Sequence, residues 1–362
     1  MNSIVYQYWF LSNQEIPYTK KYKLYEYFLD AYHVYYSTEQ ELTDSGILNQ
    51  AEIRRFLTAR ERADIEKDYR EFTRSPFSFI TVEDNGFPDR LREIADPAYG
   101  LFHTGKIPSF EKSVSIVGAR RCSAYGKKMA GEISAELAKR GFTIISGMAR
   151  GIDTAAHMGC LEEDGKTVAV LGSGIDVVYP PENNILYERI ASTGAVLSEY
   201  PMGMNPLAEN FPRRNRIVSA LSSAIVVVEA REKSGSLITA DLALDQGKDI
   251  YVVPGRIADT LSFGCNKLAS MGAGLIYNVE KFADELLGEY GEKYIKREEK
   301  KIEIPLTSEE KMLLTHFDYY PKNLVNVASE SGMDYLNCLT NSMALVRKGL
   351  LFEAFKNHFV LS

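Results

Sequence analysis

The stretch Asn210-Phe211-Pro212-Arg213-Arg214-Asn215-Arg216, running into Ile217-Val218-Ser219-Ala220-Leu221, carries the plainest chemistry in this chain. Pro212 suits the first helical position, where its missing N–H costs nothing, and Ile217, Val218 and Leu221 supply one apolar face. The first turn of that helix then holds Arg213, Arg214 and Arg216, at the end where the backbone already presents free N–H groups and the positive pole. Cations placed beside such donors make an anion site, and phosphate is the obvious occupant. The competing reading is that these arginines only solubilise the surface or pair with carboxylates such as the adjacent Glu209.

Other candidates sit beside glycines. Gly118-Ala119-Arg120-Arg121 follows an apolar run, but a single glycine there is not the G-x-G-x-x-G dinucleotide fingerprint, which argues against NAD. In Ser146-Gly147-Met148-Ala149-Arg150-Gly151-Ile152-Asp153, the glycines permit close backbone approach, Arg150 reaches outward and Asp153 is placed to cap the next helix. Asp153 and His157 lie four apart on one helical face, a spacing open to acid–base work or a metal. With no second cluster, the preferred reading is that these two, with Asp176 of Gly172-Ser173-Gly174-Ile175-Asp176, hold loops in place. Ser234-Gly235-Ser236 offers hydroxyls and N–H groups at a helix start, suited to phosphate or to plain capping.

The elements that must position these residues alternate from Ser113 onward. Apolar runs at Val114–Val117, Thr143–Ile145, Val168–Leu171, Ala195–Leu197, Ile225–Val228, Ile250–Val253 and Leu275–Tyr277 are separated by amphipathic stretches. That alternation predicts an α/β doubly wound, mostly parallel sheet with helices on both faces. The loops leaving the strand ends then line one rim, which gathers the scattered motifs into one crevice. Residues 1–75, rich in Tyr, Phe, Leu, Lys and Glu with few breakers, read as a helical domain, and the turns near Asn85-Gly86-Phe87-Pro88 as a connector. The domains are expected at 1–75, 76–290 and 305–362, the last a winged-helix outline, with a charged linker at 291–304.

A formal charge of −7 argues against a generally basic nucleic-acid binder, so phosphate binding needs a local patch,. Residues 112–278 hold 18 Lys+Arg against 17 Asp+Glu, which puts the acidic surplus outside the middle of the chain. The cysteines Cys122, Cys160, Cys265 and Cys338 form no C-x-x-C pair, so neither a metal site nor a disulfide framework is expected. No stretch is apolar enough to cross a bilayer, and Met1–Gln14 lacks a basic leader; the expected location is cytoplasmic.

In order, Gly118-Ala119-Arg120, Ser146-Gly147-x-Ala149-x-Gly151-Ile152-Asp153, Tyr179-Pro180-x-x-Asn183, Ser198-Glu199-Tyr200-Pro201, Phe211-Pro212-x-Arg214-Asn215-Arg216, Ser234-Gly235-Ser236-Leu237-Ile238-Thr239-Ala240 and Pro254-Gly255 closely resemble the DprA (Smf) family. The resemblance implies an extended Rossmann-like domain flanked by a SAM-like N-terminal domain and the winged helix. It implies binding of single-stranded DNA as a homodimer and loading of the recombinase RecA during natural transformation, with single-strand-binding protein as a further partner. It implies no cofactor and no catalysis. Carried over by motif, DNA contacts fall on Arg120, Arg214, Asn215 and Arg216, with Arg150 and Lys267 as further candidates; Gly118, Arg121, Gly147, Gly174, Phe211, Arg213, Ser234, Gly235 and Ser236 complete the expected surface. Two departures stand out: Ala119 replaces a common Ser, and Pro181-Glu182 stands where relatives often place a basic residue.

A strand-binding groove needs cations that track the backbone and aromatic faces for stacking, and Phe211 and Tyr179 are the stacking candidates. Arg214 and Arg216 are expected to face solvent, so that replacing both by alanine would abolish binding and spare the fold. Two other functions compete. One is a nucleotide phosphoribohydrolase-like enzyme, although no Glu follows Ser234–Thr239 before the end of the helix. The other is a duplex-reading regulator, although Asp334–Arg347 has few cations for a major groove.

Overall fold

The computed structural model describes residues 3–290 and 306–361; the segment 291–304, expected to be a linker, lies outside the described residues. Six helices come first: α1 (Ser3–Ser12), α2 (Tyr18–Phe28), α3 (Ala31–Tyr36), α4 (Glu39–Asp44), α5 (Gln50–Arg62) and α6 (Ile65–Phe72). Local chemistry sets their starts. Asp30 caps α3, while Thr38 with Glu41 and Asn49 with Glu52 form reciprocal capping boxes on α4 and α5,. The helices do not keep a core to themselves, because Phe10 packs edge-on against Tyr99 at 4.5 Å and Tyr8 against Phe102 at 6.4 Å. One apolar core therefore runs from α1 into the sheet.

The stretch expected to be a connector is part of that sheet. β1 (Ser78–Thr81), α7 (Asp89–Arg92) and β2 (Gly100–Gly105) precede β3 (Ser113–Val117), α8 (Ala124–Lys139), β4 (Thr143–Ser146), α9 (Ile152–Glu162), β5 (Thr167–Leu171), α10 (Asn184–Thr193) and β6 (Ala195–Ser198). Then come α11 (Asn210–Leu221), β7 (Ala224–Val227), α12 (Gly235–Asp245), β8 (Asp249–Val252), α13 (Phe263–Ser270), β9 (Gly274–Leu275) and α14 (Val279–Tyr290). β1 and β2 pair antiparallel with each other, and β2 pairs antiparallel with β6, covering what would otherwise be an open edge,. The connector reading failed because loop-like residues, Asn85-Gly86 and Asp96-Pro97, lie between two short strands whose pairing partner is remote in sequence.

The strand order is β1-β2-β6-β5-β4-β3-β7-β8-β9, parallel from β6 through β9. From β3 the chain steps outward to β6, then returns to lay β7 against the other side of β3. That reversal is a topological switch point, where the loops after β3 and β7 diverge and leave a crevice at the strand ends. β3 to β7 are buried along their whole length, as strands covered on both faces should be,.

The C-terminal unit consists of α15 (Ser308–Leu314), β10 (Lys322–Asn323), α16 (Leu324–Ser331), α17 (Tyr335–Arg347), β11 (Leu351–Phe355) and β12 (His358–Leu361). Its three strands pair in the order β10-β12-β11, and it packs around its own core of Leu313, Phe317, Leu324, Leu345 and Phe359. Among the described residues no helix is long and apolar enough to cross a membrane.

Candidate nucleic-acid interface

A groove of about 520 Å³ opens at the switch point. Five segments remote in sequence line it: Gly118 and Arg120 after β3, Gly147, Ala149 and Asp153 after β4, Tyr179 after β5, Pro206 and Ala208 with Phe211, Pro212, Arg214 and Asn215 of α11, and Lys233–Ser236 at the start of α12. The start of α12 faces this space through Ser234, Gly235 and Ser236, a helix end that favours anions, whereas at the start of α11 Asn210 N already donates to Leu207 O and Pro212 has no N–H,. Ser234 caps α12 by accepting from Ser236 N, and its hydroxyl lies 2.7 Å from that of Ser236.

The aromatic and cationic faces meet on one wall. The Arg120 guanidinium lies 4.9 Å from the centre of the Phe211 ring, and Tyr179 tilts against the same ring at 5.7 Å. Arg120 and Lys233 are exposed, so their charges face the open groove. Lys233 escaped the sequence reading; the only signal was one cation ahead of Ser234-Gly235-Ser236, inside the ordinary polar run Arg231-Glu232-Lys233.

The arginines of α11 do not behave as expected. The helix begins at Asn210, two residues before Pro212, and successive residues turn by about 100°,. Arg213, Arg214 and Arg216 consequently leave the helix in different directions. Arg214 is 4% exposed: its Nη1 donates to Gly147 O at 2.7 Å and to Val170 O, and its Nε donates to Asn215 Oδ1 at 3.2 Å. It lines the groove as a floor built into the backbone. Burial lowers its pKa to about 10, against the pull of Asp153, so it stays charged near neutrality.

Arg216 faces away from the groove. It is locked between Glu199 at 2.7 Å and Asp96 at 3.1 Å, with the Arg216 and Glu199 side chains 6% and 4% exposed. Burial works to lower its pKa, but Glu199 and Asp96 outweigh that and hold the guanidinium above its ordinary value. Arg213 leans over the Tyr18 ring of α2 at 5.1 Å. The expectation that Arg214 and Arg216 face solvent, and that their joint removal spares the fold, is therefore corrected, as is the placing of Arg213 and Arg216 in the DNA contact set.

The remaining candidates divide. Arg150 is exposed but held in a two-point pair with Glu182, whose Oε2 accepts from its Nη2 at 3.0 Å, so the acid in Pro181-Glu182 cancels that cation. Arg121 and Lys267 are exposed and lie outside the groove lining. Gly174 is buried beneath the Pro201–Met204 turn, donating to Met204 O at 2.8 Å, and a side chain there would meet Pro201 O at 2.6 Å; its role is packing. Asp176 accepts from Gly203 N at 2.8 Å and ties two loops.

Asp153 is not the cap of α9, a position that Gly151 occupies with φ of 79°. Its carboxylate reaches back to accept from Gly147 N and Ala149 N, at 3.1 and 3.2 Å, and so fixes the turn over which Arg214 lies. Burial raises its pKa, with Arg214 pulling the other way. His157 is buried behind this turn with Nδ1 on Thr167 Oγ1 at 2.6 Å; burial, aided by Arg214, lowers its pKa to about 3, so the ring is neutral. Among the described residues no group of His, Cys, Asp and Glu is assembled to hold a metal.

The glycine at 147 follows from this arrangement. A Cβ there would lie 2.4 Å from Arg214 Nη2 and 2.6 Å from its guanidinium carbon, and Arg214 is pinned by two carbonyls. Gly147→Ala is expected to cost about 1–3 kcal/mol through this overlap, read as a lower urea midpoint at unchanged slope. An unchanged midpoint would mean that the guanidinium is free to move aside.

The model of the family described as DNA recombination-mediator protein A matches residues 78–287, the segment that contains every wall of the groove. Protein Smf of Synechocystis is 43% identical over 203 residues, covering 55% of this chain; the chain spans 51%, about half, of that relative's length. The crystal structure of DNA processing protein A from Streptococcus pneumoniae superposes with a TM-score of 0.68 at 34% identity, covering 80% of this chain and 99% of that one. DNA processing protein A from Helicobacter pylori, described for its single-stranded DNA binding mode, superposes at 0.54 with 32% identity over 59% of this chain and 97% of that one. With that match running from β1 into α14, the chain belongs to the DNA recombination-mediator protein A family.

Proposed function

We propose that this protein binds single-stranded DNA in the groove at the switch point, without sequence preference and without catalysis, as a recombination mediator that loads RecA onto strands taken up in natural transformation. The observation that carries the reading is the convergence of Arg120, Arg214, Lys233 and the N-terminus of α12 on a groove walled by Phe211 and Tyr179. Fixed cations take the phosphates, and aromatic faces stack bases of any identity at about 1–3 kcal/mol each. The sequence-independent character follows from chemistry, because a π-face and a point charge accept every nucleotide.

Membership of the mediator family supports the recombinase partner, and the Helicobacter relative supports the strand as ligand. The groove's one acid, Asp153, is engaged by two backbone N–H groups, and His157 is closed off behind it. That favours binding over bond cleavage. A homodimer, single-strand-binding protein as a partner and a cytoplasmic setting belong to the same proposal.

The test is a salt-titrated binding series. An oligothymidine strand is expected to bind more tightly than duplex of equal length or a mononucleotide, with log K falling linearly against log salt at about 0.7 per phosphate contact. Tighter binding to a defined duplex, or release of base from a nucleoside monophosphate, would replace this reading.

A further inference from the structure

The C-terminal unit meets the sheet through two adjacent tyrosines. Tyr319 accepts a 2.5 Å hydrogen bond from Lys128 Nζ, its ring lies 4.6 Å from that ammonium, and it tilts against Tyr125 at 5.6 Å. Tyr320 donates to Asp259 Oδ2 at 2.8 Å, and the Arg256 guanidinium lies 3.3 Å from its ring centre. Between the two surfaces remains a cavity of about 560 Å³ where a tight domain interface would be filled,. The core of the unit shares no residue with the cores around the sheet. Such a contact, polar and incompletely packed, is of the kind that separates.

Its position matters because the dock and the groove share walls. The loop after β3 gives Gly118 and Arg120 to the groove and Cys122–Tyr125 to the dock; the loop after β7 gives Lys233–Ser236 to the groove and Glu229 to the dock. Glu229 joins these loops by accepting from Ser123 N at 2.8 Å and Ser123 Oγ at 2.5 Å. β8, whose following loop carries Arg256, is the next strand along the same rim. Lys128 of α8 and Arg256 after β8 thus stand on elements that adjoin these shared loops; each has an aromatic ring of the C-terminal unit against it, with Lys128 half-buried and Arg256 still exposed on its other side.

We propose that Lys128 and Arg256 extend the strand-binding track with one cation face each taken up by Tyr319 and Tyr320, and that departure of the C-terminal unit frees those faces for further phosphates. The proposal rests on the groove being a strand-binding site. The unit then acts as a throttle: docked, its tyrosines occupy the cation faces that a strand would use. The nearby acids temper the gain, since Glu132 lies 3.8 Å from Lys128, and Asp259 loses its tyrosine partner on release.

Tyr319→Ala with Tyr320→Ala in the full chain tests this. Small-angle scattering is expected to report a larger radius of gyration. Binding to oligothymidine is expected to tighten at low salt, with a salt slope steeper by about 0.7–1.4, one to two added contacts. Adding Lys128→Ala and Arg256→Ala should return the slope to the wild-type value. An enlarged molecule with an unchanged slope overturns the proposal, as does steepening that survives loss of both cations, or a radius that does not change. Failure of the groove reading itself looks different: wild type and variant would both leave the strand unbound.

Discussion

Replacing Arg216 by alanine is expected to lower the free energy of unfolding by about 3–5 kcal/mol. The change strips Glu199 of its closest partner, and Glu199 sits in the seam between α2, β6 and α11, where its side chain is 4% exposed. An unpaired carboxylate in that seam keeps its desolvation cost without the opposing cation. The seam is already short of partners: Glu199 Oε2, Arg216 Nη1, Asn210 Nδ2 and Tyr18 OH make no hydrogen bond among the described residues. Exchanging both members for apolar residues, Arg216→Met with Glu199→Leu, is expected to cost far less than either single alanine, because the penalty lies in the orphaned charge. Urea titration followed by far-UV circular dichroism measures both. A loss below about 1 kcal/mol for Arg216→Ala would show that water reaches Glu199 and that the pair is worth only what a surface pair is worth.

Arg120→Ala with Lys233→Ala is expected to have the opposite signature, a large loss of binding on an intact fold. Both side chains are exposed and neither makes an ion pair among the described residues; Arg120 rests only on the Phe211 face. Surface changes of this kind stay within about 0.5 kcal/mol in stability. Removing two phosphate contacts from a single-strand complex takes about 1.4 off the magnitude of the salt slope, roughly ten- to thirtyfold in affinity near 0.1 M salt. Fluorescence anisotropy across a salt series, beside a thermal melt, separates the two effects. An unchanged slope would move the strand away from this groove, whereas a lowered melting temperature would give these residues a structural role.

The two predictions divide a motif that looks uniform in the sequence. Three arginines within four residues invite a single role, and apolar periodicity places them on a helix. It does not say what will lie beside that helix, and successive residues about 100° apart send each guanidinium to a different neighbour,. One becomes the groove floor, one packs on Tyr18 of α2, and one closes an ion pair. The neighbours that decide this, Gly147, Val170, Tyr18, Glu199 and Asp96, are between 17 and 195 residues away from the arginines they meet, beyond any local pattern. Lys233 escaped for the same reason, since its importance comes from facing Arg120 across the crevice.

The sequence by itself determined the alternation of apolar strands and amphipathic helices from Ser113 onward and the glycine- and cation-bearing loops between them, because burial on both sheet faces and helix capping are written in local residue types. It placed the sheet's last strand at Leu275–Tyr277, where the structure has Gly274–Leu275. Strand order was decided only by the tertiary structure. Long-range pairing set β7 beside β3 and β2 beside β6, turning five distant loops into one groove and a stretch that reads as a connector into an edge hairpin. Which cations remained free for phosphate was also decided there, because a guanidinium follows whichever carbonyl, ring or carboxylate the fold brings within reach.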